Sequence, residues 1–406
     1  MIPEGWTPTE LGALADFTSG GTPSKQNDDF WGGTFPWVSA KDLKKHVIDS
    51  AELGLTDAGK GEANTAPVGA VLILVRGMTL LKDVPIGYVA KPVAFNQDIK
   101  ALIAKGHVDP KFLAYLLVSL KRPLMTLVNT ANHGTGRLDT NLLKAFPVIL
   151  PPIEEQRRIA ARLEAWDRAI ETVEALIANA RAQKQALMQQ LLPQGTTPPK
   201  KRLPGFSGEW RKLHIGDVAK EVSERAGDES DYPVLSCSKY DGMVESLTYF
   251  KKKVYSDDTS NYKVMRRGTF GFPSNHIEEG SIGYQDLFDA GIVSPIYYVF
   301  AADKTVDDGF LYKLLKTDRY RQMFAAATNA SVDRRGSLRW KEFAKITLLL
   351  PPLEEQQAIS EAVNSIAATE VAYEGQLTAL RQEKAALMQQ LLTGKRRVKL
   401  PESEVA

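Results

Sequence analysis

The polar residues of this sequence that could contact a ligand lack the spacing of a catalytic centre. The five histidines, at positions 46, 107, 133, 214 and 276, never pair at metal-ligand spacing, and a single cysteine, Cys237, excludes a multi-cysteine zinc site. Residues 54–60 have the spacing of a phosphate-binding loop, but Gly61 stands where Ser or Thr would hold magnesium. The sequence contains no Asn-Pro-Pro-aromatic or Asp-Pro-Pro-aromatic tetrapeptide of an amino-methyltransferase. This pattern predicts a binding protein rather than an enzyme.

The remaining candidates are polar loops whose side chains are typical of DNA contacts. Residues 130–137 and 329–336 occupy equivalent places, each just before the strand that leads into a long helix. Arg, Asn, Ser and Thr are side chains that contact base edges and phosphates. We expect the DNA-binding residues to be Thr22, Ser24, Lys25, Lys41, Arg76, Asn132, His133, Arg137, Lys239, Tyr240, Arg266, Arg267, Ser274, Asn275, His276, Ser331, Arg334 and Arg335.

An internal repeat organises the elements that must position these loops. The hexapeptide PPIEEQ at 151–156 returns as PPLEEQ at 351–356, and ALMQQLL at 186–192 returns at 386–392. Segments 151–192 and 351–392 match without a gap, with 16 identities in 42 positions. The chain therefore has the order globular domain, long helix, globular domain, long helix.

Both repeated segments have the period of a coiled coil. Apolar residues step by four and three from Ile159 to Leu191 and from Ile359 to Leu391, with Glu370 interrupting the second seam. A spacing of 3.5 residues over several heptads predicts a left-handed coiled coil. The second helix can pair with the first only by running back, so we expect an antiparallel pair with pseudo-two-fold symmetry.

The expected fold class is α+β, with two mixed α/β domains separated by the two long antiparallel helices. Within the first domain, residues 68–75 and 93–103 are predicted strands, and 110–120 a helix. The predicted boundaries are 1–150 for the first domain, 151–195 for the first helix, 196–350 for the linker and second domain, 351–395 for the second helix, and 396–406 for a basic-then-acidic tail.

The composition is that of a soluble globular protein, with 43% hydrophobic and 25% charged residues. With 51 Lys and Arg against 49 Asp and Glu, the net charge is only +2. If DNA is the ligand, partners are expected to supply much of the phosphate neutralisation. The start, MIPEGWTPTE, lacks signal-peptide features, and the longest apolar run, 70–75, is far below the ~20 residues that span a bilayer. We expect a protein of the reducing cytoplasm.

The layout resembles the specificity subunit of a type I restriction-modification enzyme over essentially the whole chain. The resemblance is carried by SGGTPSK at 19–25, by FPWVS at 35–39, and by the two repeated helices that each end in LMQQLL. It implies a non-catalytic DNA reader of a host-defence system, in which each globular domain is a target recognition domain for one half of a split, asymmetric site. The second domain departs from the first by having EVSER at 221–225 in place of the Gly-Gly-Thr-Pro loop.

The resemblance also implies the partners. Two methyltransferase subunits would dock on the helices, which would fix the spacer between half-sites, and motor-nuclease subunits would add restriction. S-adenosylmethionine, ATP and magnesium would be bound by those partners and none by this chain, in a bacterial or archaeal cytoplasm. The helix residues expected to contact other subunits are Arg158, Arg162, Trp166, Glu361 and Tyr373.

Three other functions remain open at this point. The first is a DNA reader for a related restriction system that cuts on both sides of a bipartite site. The second is a purely structural coiled-coil adaptor. The third is a standalone nuclease or methyltransferase, against which the missing motifs argue.

Overall fold

The computed structural model describes residues 2–130, 134–227, 231–329 and 337–398. The chain divides into two compact units, which we call unit 1 (Met1–Glu174 with Gly375–Ala406) and unit 2 (Ala175–Glu374). Each unit therefore combines one globular part with a portion of each long helix.

Unit 1 is built mostly from short strands. Its strands are β1 (Thr7–Glu10), β2 (Ala15–Ser19), β3 (Trp31–Val38), β4 (Val47–Ile48), β5 (Leu53–Leu55), β6 (Thr65–Ala66), β7 (Val71–Leu74), β8 (Arg76–Gly77), β9 (Ile86–Val89), β10 (Val93–Phe95), β11 (Ile99–Ala104), β12 (Val128–Thr130), β13 (Gly136–Leu138) and β14 (Pro147–Leu150). Its helices are α1 (Leu11–Leu14), α2 (Asp57–Gly61), α3 (Pro110–Ser119), α4 (Lys121–Met125), α5 (Thr140–Lys144) and the first part of α6 (Ile153–Leu191). Short 3-10 helices occupy Asp28–Phe30 and Met78–Leu81.

The core of unit 1 lies against a five-stranded sheet of order β2-β11-β7-β9-β4. Every residue of β7 is buried, which is why its sequence is continuously apolar rather than alternating. The predicted helix at 110–120 is confirmed as α3, and the strand at 68–75 is confirmed as β7. The single strand expected over 93–103 is wrong, because a turn separates β10 from β11. The side chain of Asn96 closes that turn by accepting a hydrogen bond from the Asp98 amide at 3.2 Å.

Unit 2 repeats this plan with fewer strands. Its strands are β15 (Arg211–His214), β16 (Ala219–Val222), β17 (Leu235–Ser238), β18 (Gly242–Glu245), β19 (Lys263–Arg266), β20 (Thr269–Pro273), β21 (Gly283–Gln285), β22 (Ala290–Val293), β23 (Tyr297–Ala302) and β24 (Thr347–Leu350). Its helices are the last part of α6, then α7 (Ile215–Val218), α8 (Ser246–Phe250), α9 (Asp308–Leu315), α10 (Asp318–Asn329), α11 (Trp340–Phe343) and the first part of α12 (Leu353–Leu392), with a 3-10 helix at Ile277–Glu279.

An aromatic cluster fills the core of unit 2 over the sheet β16-β23-β20-β21. The rings of Phe270 and Phe300 stack with centroids 5.0 Å apart, and Phe272 lies 4.5 Å from Phe343. Large rings bury much apolar area per residue, so this core needs few side chains.

Within each unit the portions of α6 and α12 pack as antiparallel helices. In unit 1, Asp167 of α6 pairs with Lys384 of α12, and Glu174 pairs with Arg381 at 2.6 Å. The partner on α12 moves back along the chain as α6 advances, which is the antiparallel order. The apolar seam is confirmed, because Ile159, Leu163 and Val173 are buried in unit 1 and Ile177, Ile359 and Val363 in unit 2.

The interruption of the seam in unit 2 has a local explanation. Glu370 accepts hydrogen bonds from Arg181 Nε at 2.7 Å and from Lys184 Nζ at 2.5 Å, both on α6. These hydrogen bonds, from Lys184 first and Arg181 second, lower the pKa of Glu370 below its ordinary value. A charged residue at a seam position is thus paired with charged residues of the facing helix.

The repeated PP[IL]EEQ hexapeptide fixes the start of each long helix to its globular part. Gln156 donates to the Pro151 carbonyl at 2.8 Å and accepts from the Asp109 amide at 2.8 Å. Gln356 makes the same two bonds in unit 2, with Pro351 and Asp307, at 2.9 Å each. The hexapeptide therefore does more than begin a helix, because its glutamine also bonds the helix start to the globular part.

None of the helices in the described part of the chain is long and apolar enough to cross a membrane.

Candidate nucleic-acid interface

A three-stranded sheet of order β12-β13-β8 exposes a row of polar side chains on unit 1. Arg137 of β13 lies directly opposite Arg76 of β8 on one side and Asn129 of β12 on the other. Residues directly opposite one another in a sheet project from the same face. All three are exposed, whereas Gly136 and Leu138 on either side of Arg137 are buried. The sheet thus covers the core with one face and presents two guanidinium groups and an amide with the other.

Glycine lets this sheet lie close to the core. A Cβ on Gly136 would lie 2.7 Å from the Cβ of Leu80, a distance that real contacts do not reach. Gly77, its cross-strand partner, has φ +144°, which residues with a side chain rarely adopt. The pairing of β8 with β13 therefore requires glycine at both positions.

The arginine pair borders a polar cavity of about 420 Å³. Besides Arg76 and Arg137, its polar lining consists of Gln97, Asp98, Lys100, Asp139, Thr140 and Asn141. Asp139 is already engaged as the cap of α5, accepting from the amide of Asn141 at 2.8 Å. Within the described ranges, the guanidinium groups of Arg76 and Arg137 have no hydrogen-bond or ion-pair partner.

The predicted loop at residues 19–25 is held beside this cavity. Thr22 Oγ1 donates to Gln97 Oε1 at 2.6 Å, which links the loop to the cavity lining. The indole of Trp37 donates to the Gly21 carbonyl at 3.1 Å, and the indole of Trp31 donates to the Ser24 carbonyl at 3.0 Å. Thr22, Ser24 and Lys25 are exposed on a loop fixed by two tryptophans. The FPW motif of the sequence therefore contributes Trp37, one of the two tryptophans that support the SGGTPSK loop.

Lys41 lies in a different place. It lines a cavity of about 550 Å³ together with Lys44, Lys45, His46 and Lys121, outside the arginine row. Here His46 stacks on Tyr115 with ring centroids 4.7 Å apart.

Unit 2 places its predicted loop residues on the equivalent backbone. The amide of Leu338 donates to the Ser274 carbonyl at 2.8 Å, as that of Leu138 donates to the Val75 carbonyl at 2.9 Å. The exposed side chain of Asn275 thus stands where unit 1 has Arg76.

His276 follows Asn275 with φ +85°, as Gly77 follows Arg76. Its Nδ1 lies 3.2 Å from Glu279 Oε1. Ligand atoms of His276, Glu278 and Glu279 lie within 4.8 Å of one another, a grouping that sequence spacing did not reveal. We assign no ion to it, because His276 and Glu279 already contact each other.

A rigid hairpin tip in unit 2 carries two further candidates, Lys239 and Tyr240. The Ser238 hydroxyl accepts from the amides of Tyr240 at 3.3 Å and Asp241 at 3.2 Å, which closes the turn between β17 and β18. Tyr240 is 82% exposed.

Sequence reasoning missed Lys316, which ties this tip to the end of the 3-10 helix that follows His276. Its ammonium donates to the carbonyls of Lys239 at 2.7 Å and Gly280 at 3.0 Å. Burial lowers the pKa of Lys316. Gln97, Lys100, Asn129 and Asn141 were also missed. The strand pairing that brings Gln97 and Lys100 to the arginine pair is non-local.

Two arginines of the predicted set are already paired within unit 2. Arg266 makes a two-point contact with Glu224, at 2.9 and 2.6 Å, and Arg267 lies 3.2 Å from Asp289. Their charges are thus partly neutralised by the protein itself. Five predicted residues lie outside the described residues: Asn132, His133, Ser331, Arg334 and Arg335.

The helix residues expected to contact other subunits differ in exposure. Arg162 and Glu361 are exposed. Arg158, Trp166 and Tyr373 are half-buried, and Trp166 and Tyr373 occupy seam positions. Arg162 and Glu361 are therefore the members of the set that solvent reaches most freely.

Comparison with known proteins finds similarity to specificity subunits of type I restriction enzymes. Residues 3–180 match the family described as type I restriction modification DNA specificity domain. The chain is 30% identical over 160 residues to the type I restriction enzyme EcoR124I/EcoR124II specificity subunit of Escherichia coli, covering 39% of this chain and 40% of that one. The match to the MjaIX specificity subunit of Methanocaldococcus jannaschii likewise spans 40% of that relative.

Other similarities extend over the full length. The putative MjaX specificity subunit of M. jannaschii is 23% identical over 98% of this chain and 95% of its own. Among solved structures, an S subunit of a type I restriction-modification system from M. genitalium matches with TM-score 0.57 and 15% identity, covering 98% of this chain and 97% of that one. A structure from a study of type I complex assembly and conformational transition has TM-score 0.57 and 20% identity, covering 98% and 100%. At these identities the solved structures establish the fold.

Proposed function

We propose that this chain, whose residues 3–180 match the type I restriction modification DNA specificity domain, is the sequence-specific DNA-binding subunit of a type I restriction-modification complex. Each unit reads one half of a bipartite, asymmetric site. The long helices set the unread spacer and dock two methyltransferase subunits. Motor-nuclease subunits complete the restriction form, and the chain itself is non-catalytic.

The observation that carries this proposal is the exposed polar row on β12-β13-β8. Two guanidinium groups and an amide project together without a partner in the described part of the chain. The major groove of B-DNA admits a two-stranded β-ribbon, and Arg and Asn are side chains that read base edges there. A surface of this composition on a narrow sheet supports reading of duplex DNA.

Asymmetry of the site is supported by the differences between the units. Unit 1 has a tryptophan-supported loop at residues 19–25 and an arginine pair, whereas unit 2 has the hairpin tip of Lys239 and Tyr240 beside Asn275. Different side chains on equivalent backbones favour different base sequences in the two halves.

The net charge of +2 supports a role for partners in DNA affinity. Each phosphate contact by Lys or Arg adds affinity through counterion release, and a nearly neutral chain supplies few such contacts. Methyltransferase subunits on the helices add the missing contacts and carry the S-adenosylmethionine. ATP and magnesium belong to the restriction subunits, and the complex acts in a bacterial or archaeal cytoplasm.

The test is modified-base sequencing of genomic DNA from cells with and without this chain, in a strain in which a methyltransferase subunit co-purifies with it. We expect a split motif, with a methylated adenine in each half, that disappears on deletion and returns with the wild-type chain. An identical set of methylated motifs in both strains contradicts the proposal. A complementing chain with Lys345→Ala serves as a matched control, because Lys345 is exposed, lies outside the long helices and the predicted DNA-binding residues, and pairs with its neighbour Glu342.

A further inference from the structure

We propose that the two units read different bases from one equivalent backbone position: unit 1 reads a guanine through Arg76 and Arg137, and unit 2 reads an adenine through Asn275. This inference rests on the proposed function and adds the chemical identity of one base pair in each half-site.

The equivalence of the two positions follows from the backbone. In unit 1 the carbonyl of Val75 accepts a hydrogen bond from the amide of Leu138, and in unit 2 the carbonyl of Ser274 accepts one from the amide of Leu338. Each leucine precedes the last short helix and the last strand of its globular part. Two residues further along the chain from Val75 and Ser274, Gly77 in unit 1 and His276 in unit 2 have a positive φ, and each is followed by a 3-10 helix. The residues between, Arg76 and Asn275, therefore present their side chains from the same place in the fold. Immediately before that leucine, unit 2 has Ser337 where unit 1 has Arg137.

The arginine pair matches the acceptor edge of a base. Like charges directly opposite one another destabilise a sheet, so acceptors from a ligand would relieve the repulsion between the two facing guanidinium groups. Asp98 and Asp139 line the same cavity and offset two of the three positive charges of Arg76, Lys100 and Arg137, which weakens the attraction for a phosphate more than that for the neutral edge of a base. Guanine presents two acceptors, O6 and N7, to which Arg binds with two hydrogen bonds. The amides of Gln97, Asn129 and Asn141 nearby are further groups suited to base edges.

Unit 2 offers different chemistry at this position. The Asn275 side chain is exposed and has no hydrogen-bond partner among the residues that the structure describes. An amide carries both a donor and an acceptor, which match N7 and the N6 amino group of adenine. The guanine acceptors O6 and N7 leave the amide oxygen of Asn275 unpaired, so adenine is favoured.

The experiment measures binding of the full chain, purified with its methyltransferase partners, to duplexes that carry the methylated motif with single base-pair changes. Wild type should prefer guanine at one position of one half by between about 5-fold and about 150-fold. Arg76→Asn with Arg137→Ser should remove that preference and leave every other position unchanged. Asn275→Ala should remove a preference for adenine at one position of the other half. Lys345→Ala is the control that alters neither.

Four results separate this inference from its alternatives. A variant that weakens binding equally for all sequences and lowers the salt dependence shows a phosphate contact and overturns the inference. Arg137→Lys keeps the charge but loses the two-point contact, so it should lose the base preference while keeping the salt dependence. If it retains full preference, the inference is also overturned. A wild-type complex without preference for any sequence refutes the proposed function itself, whereas a selective complex unaffected by these variants refutes only the inference.

Discussion

The guanidinium of Arg397 donates two hydrogen bonds to the carboxylate of Glu155, one from Nε at 2.7 Å and one from Nη2 at 2.9 Å. In unit 2, Arg202 binds Glu355 in the same two-point manner. Each glutamate lies in the first turn of a long helix, and each is almost completely buried, at 1% and 0% exposed. Backbone bonds repeat as well, because the amides of Arg396 and Lys201 donate to Gln390 and Gln190. The segments that follow the two helices are therefore structural counterparts, although their sequences align poorly.

Replacing Arg397 tests the strength of this contact. Arg397→Ala leaves the buried carboxylate of Glu155 without its cation, so we expect a loss of about 2 kcal/mol in the free energy of unfolding. This value is below that of a fully buried pair because the guanidinium is partly in solvent. Thermal unfolding of Arg396→Ala is the control, since that exposed side chain neighbours Arg397. Equal melting temperatures for the two variants contradict the assignment.

A second prediction compares two tryptophans at equivalent positions. Trp6 Nε1 donates to Glu155 at 3.0 Å, whereas the buried Nε1 of Trp210 has no acceptor among the described residues. Trp6→Phe should lower the free energy of unfolding by about 1–2 kcal/mol in addition to the effect of the altered packing, because it removes a hydrogen bond to a charged group. Trp210→Phe should cost clearly less, because it removes an unsatisfied donor. Chemical denaturation of both variants measures the difference, and equal losses would show that the Trp6 bond adds nothing.

The stability of unit 1 should depend on pH through His46. Burial lowers the pKa of His46 below its ordinary value of 6.5; Asp167 opposes this, and the positive charges of Lys384 and Lys121 add to it. The folded state then binds fewer protons than the unfolded state. The stability that comes from burying neutral His46 is therefore fully present above pH 6.5 and is lost as the pH falls below that value.

Melting temperatures at pH 7.5 and 5.5 test this dependence. His46→Gln should lower stability at pH 7.5 by removing the stack on Tyr115, and it should make the decrease towards pH 5.5 smaller. His107→Gln, at an exposed position, is the control. The same decrease for wild type and His46→Gln would exclude His46 as its source.

The charged interruption of the helix seam gives a double-mutant prediction. Glu370→Leu alone leaves Lys184 without its carboxylate at a seam position and should destabilise unit 2. Lys184→Leu combined with Glu370→Leu restores an apolar seam and should recover wild-type stability or exceed it. The coupling between the two sites should be about 1–3 kcal/mol. Additive losses measured by denaturant unfolding would mean that the pair does not interact.

The helices and the repeat could be predicted from the sequence because their signals are local. A period of 3.5 residues from Ile159 to Leu191 depends only on neighbouring turns of one helix. The same holds for α3, whose cap Asp109 and first residue Pro110 are adjacent in sequence.

The candidate site could be predicted only in part, because its geometry depends on long-range pairing. Nothing near Arg76 in sequence indicates that β8 will pair with a strand 60 residues later, which alone brings Arg137 beside it. Likewise, the partners of Arg266 and Arg267 come from distant or loop residues, so their pairing with Glu224 and Asp289 has no sequence pattern. The turn at Asn96 that separates β10 from β11 has polar residues within an otherwise apolar run, and that signal was available.

The central claim, that each unit reads one half-site while the helices set the spacer, is tested most directly by lengthening α6 and α12. One heptad is inserted into each helix at equivalent seam positions, and the methylated motif in cells carrying this chain is sequenced. The account predicts that both half-sites keep their sequences while the spacer grows, by up to about 3 base pairs for seven residues of ~1.5 Å rise. A motif with an unchanged spacer, or with altered half-sites, contradicts it.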